Sequence, residues 1–185
     1  MWGPNIEILS PPPYFSFSIG DEIMLAGKAY IPVRVLKPFG NWKEGDMILL
    51  EDWKAKELWE MGVVEIIDEA DKVIGEIDRI LNEEKKNAPL TPIPEGLYEK
   101  AEFYIYYLEK FVQVQGGSIE VLQTKLTKLR NLKKKYKMLK NIRFKKILEA
   151  VRLRPNSMEI LSRLSPEEKR VYLEISRIRN EWIGE

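Results

Sequence analysis

The chain has no cysteine and no histidine in 185 residues. The first absence excludes disulfides and thiol nucleophiles, and the second removes the commonest acid-base side chain and the commonest zinc ligand. No apolar run approaches the ~20 residues that a membrane span requires. The opening Met1-Trp2-Gly3-Pro4 has no basic flank leading into an apolar block, so a cytoplasmic protein without a targeting segment is expected. Gly-x4-Gly-Lys-Ser/Thr and Gly-x-Ser-x-Gly motifs are both missing, and without histidine a Ser-His-Asp relay is impossible. Catalysis would have to rest on carboxylates, lysines, tyrosines or hydroxyls. Two carboxylate clusters exist, Glu51-Asp52 and Asp68-Glu69-Asp71, but a helix cap and a charged helix start account for them. The expectation is a protein that is not an enzyme, with no metal and no cofactor.

Charge is what the sequence has in excess. Charged residues make up 32% of the chain, above the roughly 25% of an average soluble protein, yet the net charge is only +1. That balance hides a dipole, because residues 119–154 hold thirteen Lys and Arg against Glu120 and Glu149, a local +11 that leaves −10 elsewhere. Under this charge runs an apolar stripe of Leu122, Leu126, Leu129, Leu132, Tyr136, Leu139 and Ile142 at steps of three and four, the period of a helix with one buried face. Unbroken, that helix reaches roughly 45 to 50 Å. It would outreach partner helices of about 16 to 18 residues, leaving part of its stripe for a second subunit. Leu122, Leu126, Leu129, Leu132, Tyr136 and Leu139 are therefore the candidate subunit interface, and Leu129→Glu is expected to disrupt assembly while helicity survives. For the cations three readings stay open: a solvated outer face, a surface matched to acidic protein partners, or contact with a nucleic-acid backbone through Lys133, Lys134, Lys135, Lys137 and Lys140. Aromatics are few in this stretch, only Tyr136 and Phe144, which disfavours base stacking.

The predicted fold is mainly α with a small β-rich domain: a mixed β unit over 1–67, a connecting helix and linker over 68–92, and a helical-bundle domain over 93–185. Ile31-Pro32-Val33-Arg34-Val35-Leu36 reads as a short strand, in which the proline is tolerable at a strand start or an edge. Pro38 to Asp46 is dense in turn residues, and 47–50 is a second strand. Asp52 is positioned to cap a short helix that Gly62 ends, before a third strand over 63–67. The leading Pro11-Pro12-Pro13 and Tyr14 to Ile19 suggest an added extended edge or hairpin. Val73, Ile74, Ile77, Ile80 and Leu81 fall at helical spacing, and flexibility is expected over 87–92. Pro94 opens a helix with Leu97, Ala101, Ile105, Leu108 and Val112 on its face, stopped by Gly116-Gly117. Pro155-Asn156 closes the basic helix. Ser165-Pro166-Glu167-Glu168 is a capping-box start for a last, docked helix whose buried face carries Val171, Ile175, Ile178 and Trp182.

Leu90-Thr91-Pro92-Ile93-Pro94-Glu95-Gly96-Leu97-Tyr98 with Tyr104-Ile105-Tyr106-Tyr107-Leu108 resembles the opening of the helical domain of GINS subunits. Arg143-Phe144-Lys145-Lys146-Ile147, Leu164-Ser165-Pro166-Glu167-Glu168 and Tyr172 continue the likeness, while Val35 to Phe39, Lys43 to Asp46, the Leu49 to Leu58 span and Gly62 to Glu65 look like the family's small β-rich domain. The likeness covers about residues 31 to 183, with the small domain first, as in the archaeal two-three type. The resemblance implies a DNA replication factor: a non-enzymatic subunit that joins a sister subunit in a heterotetramer and links the MCM helicase to a RecJ-like partner in the replisome, near the nucleoid; weak non-specific DNA contact is left open by the lysines of the basic helix, not by the resemblance. The alternative is a stand-alone basic helical nucleic-acid-binding protein.

Overall fold

The computed structural model describes residues 29–114 and 118–184. A three-stranded antiparallel sheet is formed by β1 (Tyr30–Val35), β2 (Met47–Glu51) and β3 (Val64–Ile66) in the order β2-β1-β3. Six helices make up the rest of the regular structure among the described residues: α1 (Asp52–Glu60), α2 (Ala70–Lys86), α3 (Leu97–Val114), α4 (Ile119–Leu153), α5 (Met158–Leu161) and α6 (Pro166–Ile183). This is the expected mainly α fold with a small β unit near the N-terminus. The suggested edge or hairpin at residues 11–19, like the Gly116-Gly117 stop, lies outside the described residues.

β1 alternates as a half-buried strand should, with Ile31, Val33 and Val35 inward and Tyr30 and Arg34 outward. It is the central strand, however, and not an edge. Pro32 is tolerated there because β3 pairing begins only at Val33, so the missing N–H falls beyond the ladder, and the Pro32 carbonyl accepts from Ile67 N at 3.0 Å. Gly62, at φ +67°, supplies the left-handed residue that turns the chain from α1 into β3. Asp52 is the first residue of α1 instead of its cap: the cap position is Glu51, whose Oε2 accepts from Trp53 Nε1 at 2.7 Å.

Residues of the sheet, α1, α2, α3 and the first two thirds of α4 form one continuous core, from Ile31 and Val33 through Ile77, Ile80 and Tyr104 to Leu132 and Leu139. No break in packing coincides with residue 67. The connecting helix α2 is an integral wall of that core, burying Val73, Ile74, Ile77, Ile80 and Leu81. A second, smaller cluster joins Leu90, Ile147, Val151, Leu164 and Tyr172. Helix α4, about 52 Å long at 1.5 Å per residue, is the one element that enters both.

The segment 87–92 is pinned, against the expectation of flexibility. Leu90 is buried, Thr91 N donates to Glu84 Oε1 at 2.8 Å, the Thr91 carbonyl accepts from Arg143 Nη1 at 2.5 Å, and Lys146 Nζ donates to the Asn87 carbonyl at 2.6 Å. Pro89 and Pro92 break the helix, but the polar groups so released meet charged partners on α2 and α4.

Candidate interaction surfaces

The basic helix lies in a cradle of acidic residues. Along its α2 side, Lys125 pairs with Asp68, Lys128 with Asp68 (3.1 Å) and Asp71 (2.7 Å), and Lys135 with Asp78. On its α3 side Lys133 pairs with Glu109, and Tyr136 Oη donates to Glu102 at 2.5 Å. Lys140 reaches Glu167 on α6 at 2.9 Å and stands over the Tyr98 and Tyr136 rings. The exposed pairs, such as Lys133–Glu109 and Lys140–Glu167, are each worth about 1 kcal/mol or less, whereas Lys125 and Lys128 meet Asp68 in a largely buried position. Together the pairs fix the rotation of α4 against its neighbours. Of the five lysines offered as contacts for acidic partners or DNA, Lys133, Lys135 and Lys140 are thus engaged within the chain. Lys134 and Lys137 are exposed and, among the described residues, carry no such pairing.

At the seam between the two cores sits Arg143, 1% exposed. Its guanidinium donates through Nε and Nη2 to both oxygens of Glu168, and through Nη1 to Glu84 at 2.7 Å. Tyr98 Oη donates to Glu168 Oε1 at 2.6 Å, and Lys146 lies 2.5 Å from the second oxygen of Glu84. Burial alone would raise the Glu84 pKa, but Lys146 and Arg143 outweigh it and hold the carboxyl below its ordinary value. Burial pushes the Tyr98 phenol far above its ordinary range, with the Glu168 charge adding to the shift. Five charged or phenolic side chains from α2, α3, α4 and α6 thereby close one network in which each satisfies the others. The sequence carried a signal for it: Arg143 falls on the same helical face as Leu132, Leu139 and Ile147, and a cation on an apolar face calls for a buried partner.

The candidate subunit interface is placed differently from expectation. Leu129, Leu132 and Leu139 are buried in the main core, with Leu132 and Leu139 at 0% exposure, while Leu122, Leu126 and Tyr136 are half-buried. The stripe is not left uncovered. Helices α2 and α3 flank its first two thirds and α6 flanks the remainder, so successive shorter helices cover one long one. Leu129→Glu would accordingly strike the fold itself.

An uncovered apolar surface lies on α6, besides scattered exposed apolar side chains such as Met47, Leu49 and Ile119. Its buried residues are Glu168, Tyr172 and Ser176, whereas Ile178 is 53% and Trp182 90% exposed. Val171 and Ile175 are half-buried against the second cluster. The predicted buried face is rotated outward because Glu168 must point at Arg143 and Tyr172 at the end of α4, where its Oη donates to the Arg154 carbonyl. The last two turns of α6 therefore present Ile178, Trp182 and Ile183 to solvent, with Leu148, Leu153 and Met158 also exposed on α4 and α5. Neither α4 nor α6 betrays this in sequence, since the apolar period of α6 is regular to its end.

Among the described residues no group of three or more carboxylates is placed to hold a metal ion, and no helix is long and apolar enough to cross a membrane. Neither a protein-family model nor a curated protein matches the chain.

Proposed function

We propose that this chain is a non-enzymatic subunit of a GINS-type replication assembly, working in the cytoplasm at the nucleoid. It joins a sister subunit in a tetramer and thereby links an MCM helicase to a RecJ-like protein. One observation carries the reading: a well-packed chain leaves Trp182 and Ile178 exposed on the end of its last helix. Exposed aromatic and aliphatic side chains grouped in this way mark protein contact sites, where tryptophan is among the residues that dominate binding. The order of a small sheet unit before a helical one, and the long α4 behind the contact surface, agree with the family likeness of the sequence.

Multi-angle light scattering of the chain alone and after co-expression with the sister subunit tests this. The isolated chain is expected to self-associate and the co-expressed pair to give one defined larger species. A monodisperse monomer that the sister subunit leaves unchanged would overturn the proposal.

A further inference from the structure

The cations of α4 that its neighbours leave over are arranged in a line. Among the described residues, Arg130, Lys134, Lys137 and Lys145 are exposed and have no ion pair, hydrogen bond or ring contact. Their separations of four, three and eight residues put them, at 100° per residue, within a sector of roughly 80°. Asn141 occupies the intervening position of the same stripe, and no Asp or Glu occurs anywhere from 121 to 148. Lys85 on α2, also exposed, lines a shallow cavity together with Lys134, Asn82 and Asn131. The one carboxylate in that wall, Asp78, is already paired with Lys135.

A solvated helix face elsewhere in this molecule interleaves its signs, as α6 does with Arg177 between Glu174 and Glu181. Helix α4 does the opposite: its inward cations are neutralised by α2, α3 and α6, and a single-sign row remains outside, concentrating positive potential along one line. Positions 130, 134, 137, 141 and 145 hold no apolar residue, whereas the centre of a protein interface is depleted in lysine and needs apolar anchors. Lys, Arg and Asn are among the side chains that contact phosphate oxygens. Arg130 to Lys145 spans about 22 Å, a length over which one strand of a duplex presents roughly six phosphates.

We propose that Arg130, Lys134, Lys137 and Lys145 of α4, with Lys85 of α2, form a track that binds the phosphodiester backbone of nucleic acid without reading its sequence. The track lies on α4 and α2, apart from the apolar end of α6, so it stands or falls independently of the assembly reading.

Fluorescence anisotropy of the full chain with a labelled 30-base-pair duplex, the matching single strand, and poly-glutamate as competitor tests it over a salt series. Four to five phosphate contacts give a log–log salt slope of about −3.6 to −4.5 on duplex, a loss of roughly 150- to 500-fold in affinity between 50 and 200 mM salt. On single strand the slope is about −0.7 per contact, so the two slopes tell which form of the backbone the track grips. The quadruple variant Arg130→Gln/Lys134→Gln/Lys137→Gln/Lys145→Gln is expected to leave a slope of about −0.9 at most, the one contact of Lys85, with an unchanged circular dichroism spectrum. The half variants Arg130→Gln/Lys134→Gln and Lys137→Gln/Lys145→Gln should each remove about half of it. Lys133→Gln, whose lysine is ion-paired, should leave it within about one contact. The proposal is overturned if the native chain shows no salt-dependent binding, if the quadruple variant keeps the native slope, if Lys133→Gln flattens the slope as much as a half variant does, or if poly-glutamate of equal charge displaces the duplex as well as unlabelled duplex does.

Discussion

Arg143 and Glu168, 25 residues apart, meet in the interior as a bidentate pair, Nε to Oε1 at 2.8 Å and Nη2 to Oε2 at 2.7 Å. The same carboxylate serves as the third residue of the α6 capping box, accepting from Ser165 N at 3.0 Å while Ser165 Oγ accepts from Glu168 N at 3.2 Å. One side chain therefore sets both where α6 starts and how it is rotated on α4. Its position explains why the apolar face of α6 drifts out to Trp182.

Arg143→Met is expected to destabilise the chain by about 3 to 5 kcal/mol, because Glu168 would be left buried without its counter-charge and Glu84 with Lys146 alone. Urea unfolding followed by circular dichroism measures it. Adding Glu84→Gln and Glu168→Gln should recover a large part of the loss. If the triple variant is no more stable than Arg143→Met, uncompensated charge is not what the single change exposes.

Acid should weaken the fold in a defined window. Asp68 and Glu84 both have lowered pKa values: burial by itself raises them, and Lys125 and Lys128 at Asp68, and Lys146 and Arg143 at Glu84, reverse the shift. Their unfolded values are about 3.9 and 4.3. The stabilisation is fully present above those values and is lost as pH falls through the lower, folded ones. Urea midpoints should hold from pH 7 to 5 and drop below about pH 4. The variant Asp68→Asn/Glu84→Gln should show a smaller drop; an identical one would assign the acid sensitivity to other groups.

Leu132→Ala should cost about 2 to 5 kcal/mol, as for any fully buried leucine. Trp182→Ala, in contrast, should change the stability of the isolated chain by no more than about 0.5 kcal/mol, since the ring is 90% exposed. Thermal melts of the two variants separate core from surface directly. Equal losses would mean that Trp182 is covered in solution.

Ser176 is fully buried on α6, and among the described residues its hydroxyl has no hydrogen-bond partner. Ser176→Ala removes an unsatisfied polar group and adds helix propensity, so it should stabilise by about 1 kcal/mol. A destabilised variant would show that the hydroxyl has a partner in solution.

Ser165→Ala should cost about 1 kcal/mol through the lost cap, and differential scanning calorimetry would register it as a lower melting temperature. No change would mean that the Arg143 pair alone holds the start of α6.

Local rules made much of this chain legible in its sequence. Alternation marked β1, the three-four period marked α2 and α4, Gly62 marked the end of α1, and Ser165 with Glu168 announced α6, because each depends only on neighbours within a turn or two. Tertiary structure alone decided which charges are spent and which apolar faces are covered. Lys133, Lys135 and Lys140 look the same in sequence as Lys134 and Lys137, and only the placement of Glu109, Asp78 and Glu167 separates paired from unpaired. Leu132 and Trp182 both continue regular apolar stripes, yet one is sealed by α2 and α3 while the other runs past the end of α4. Periodicity states that a helix has a face; what meets that face depends on partners tens of residues away, whose position no local pattern encodes.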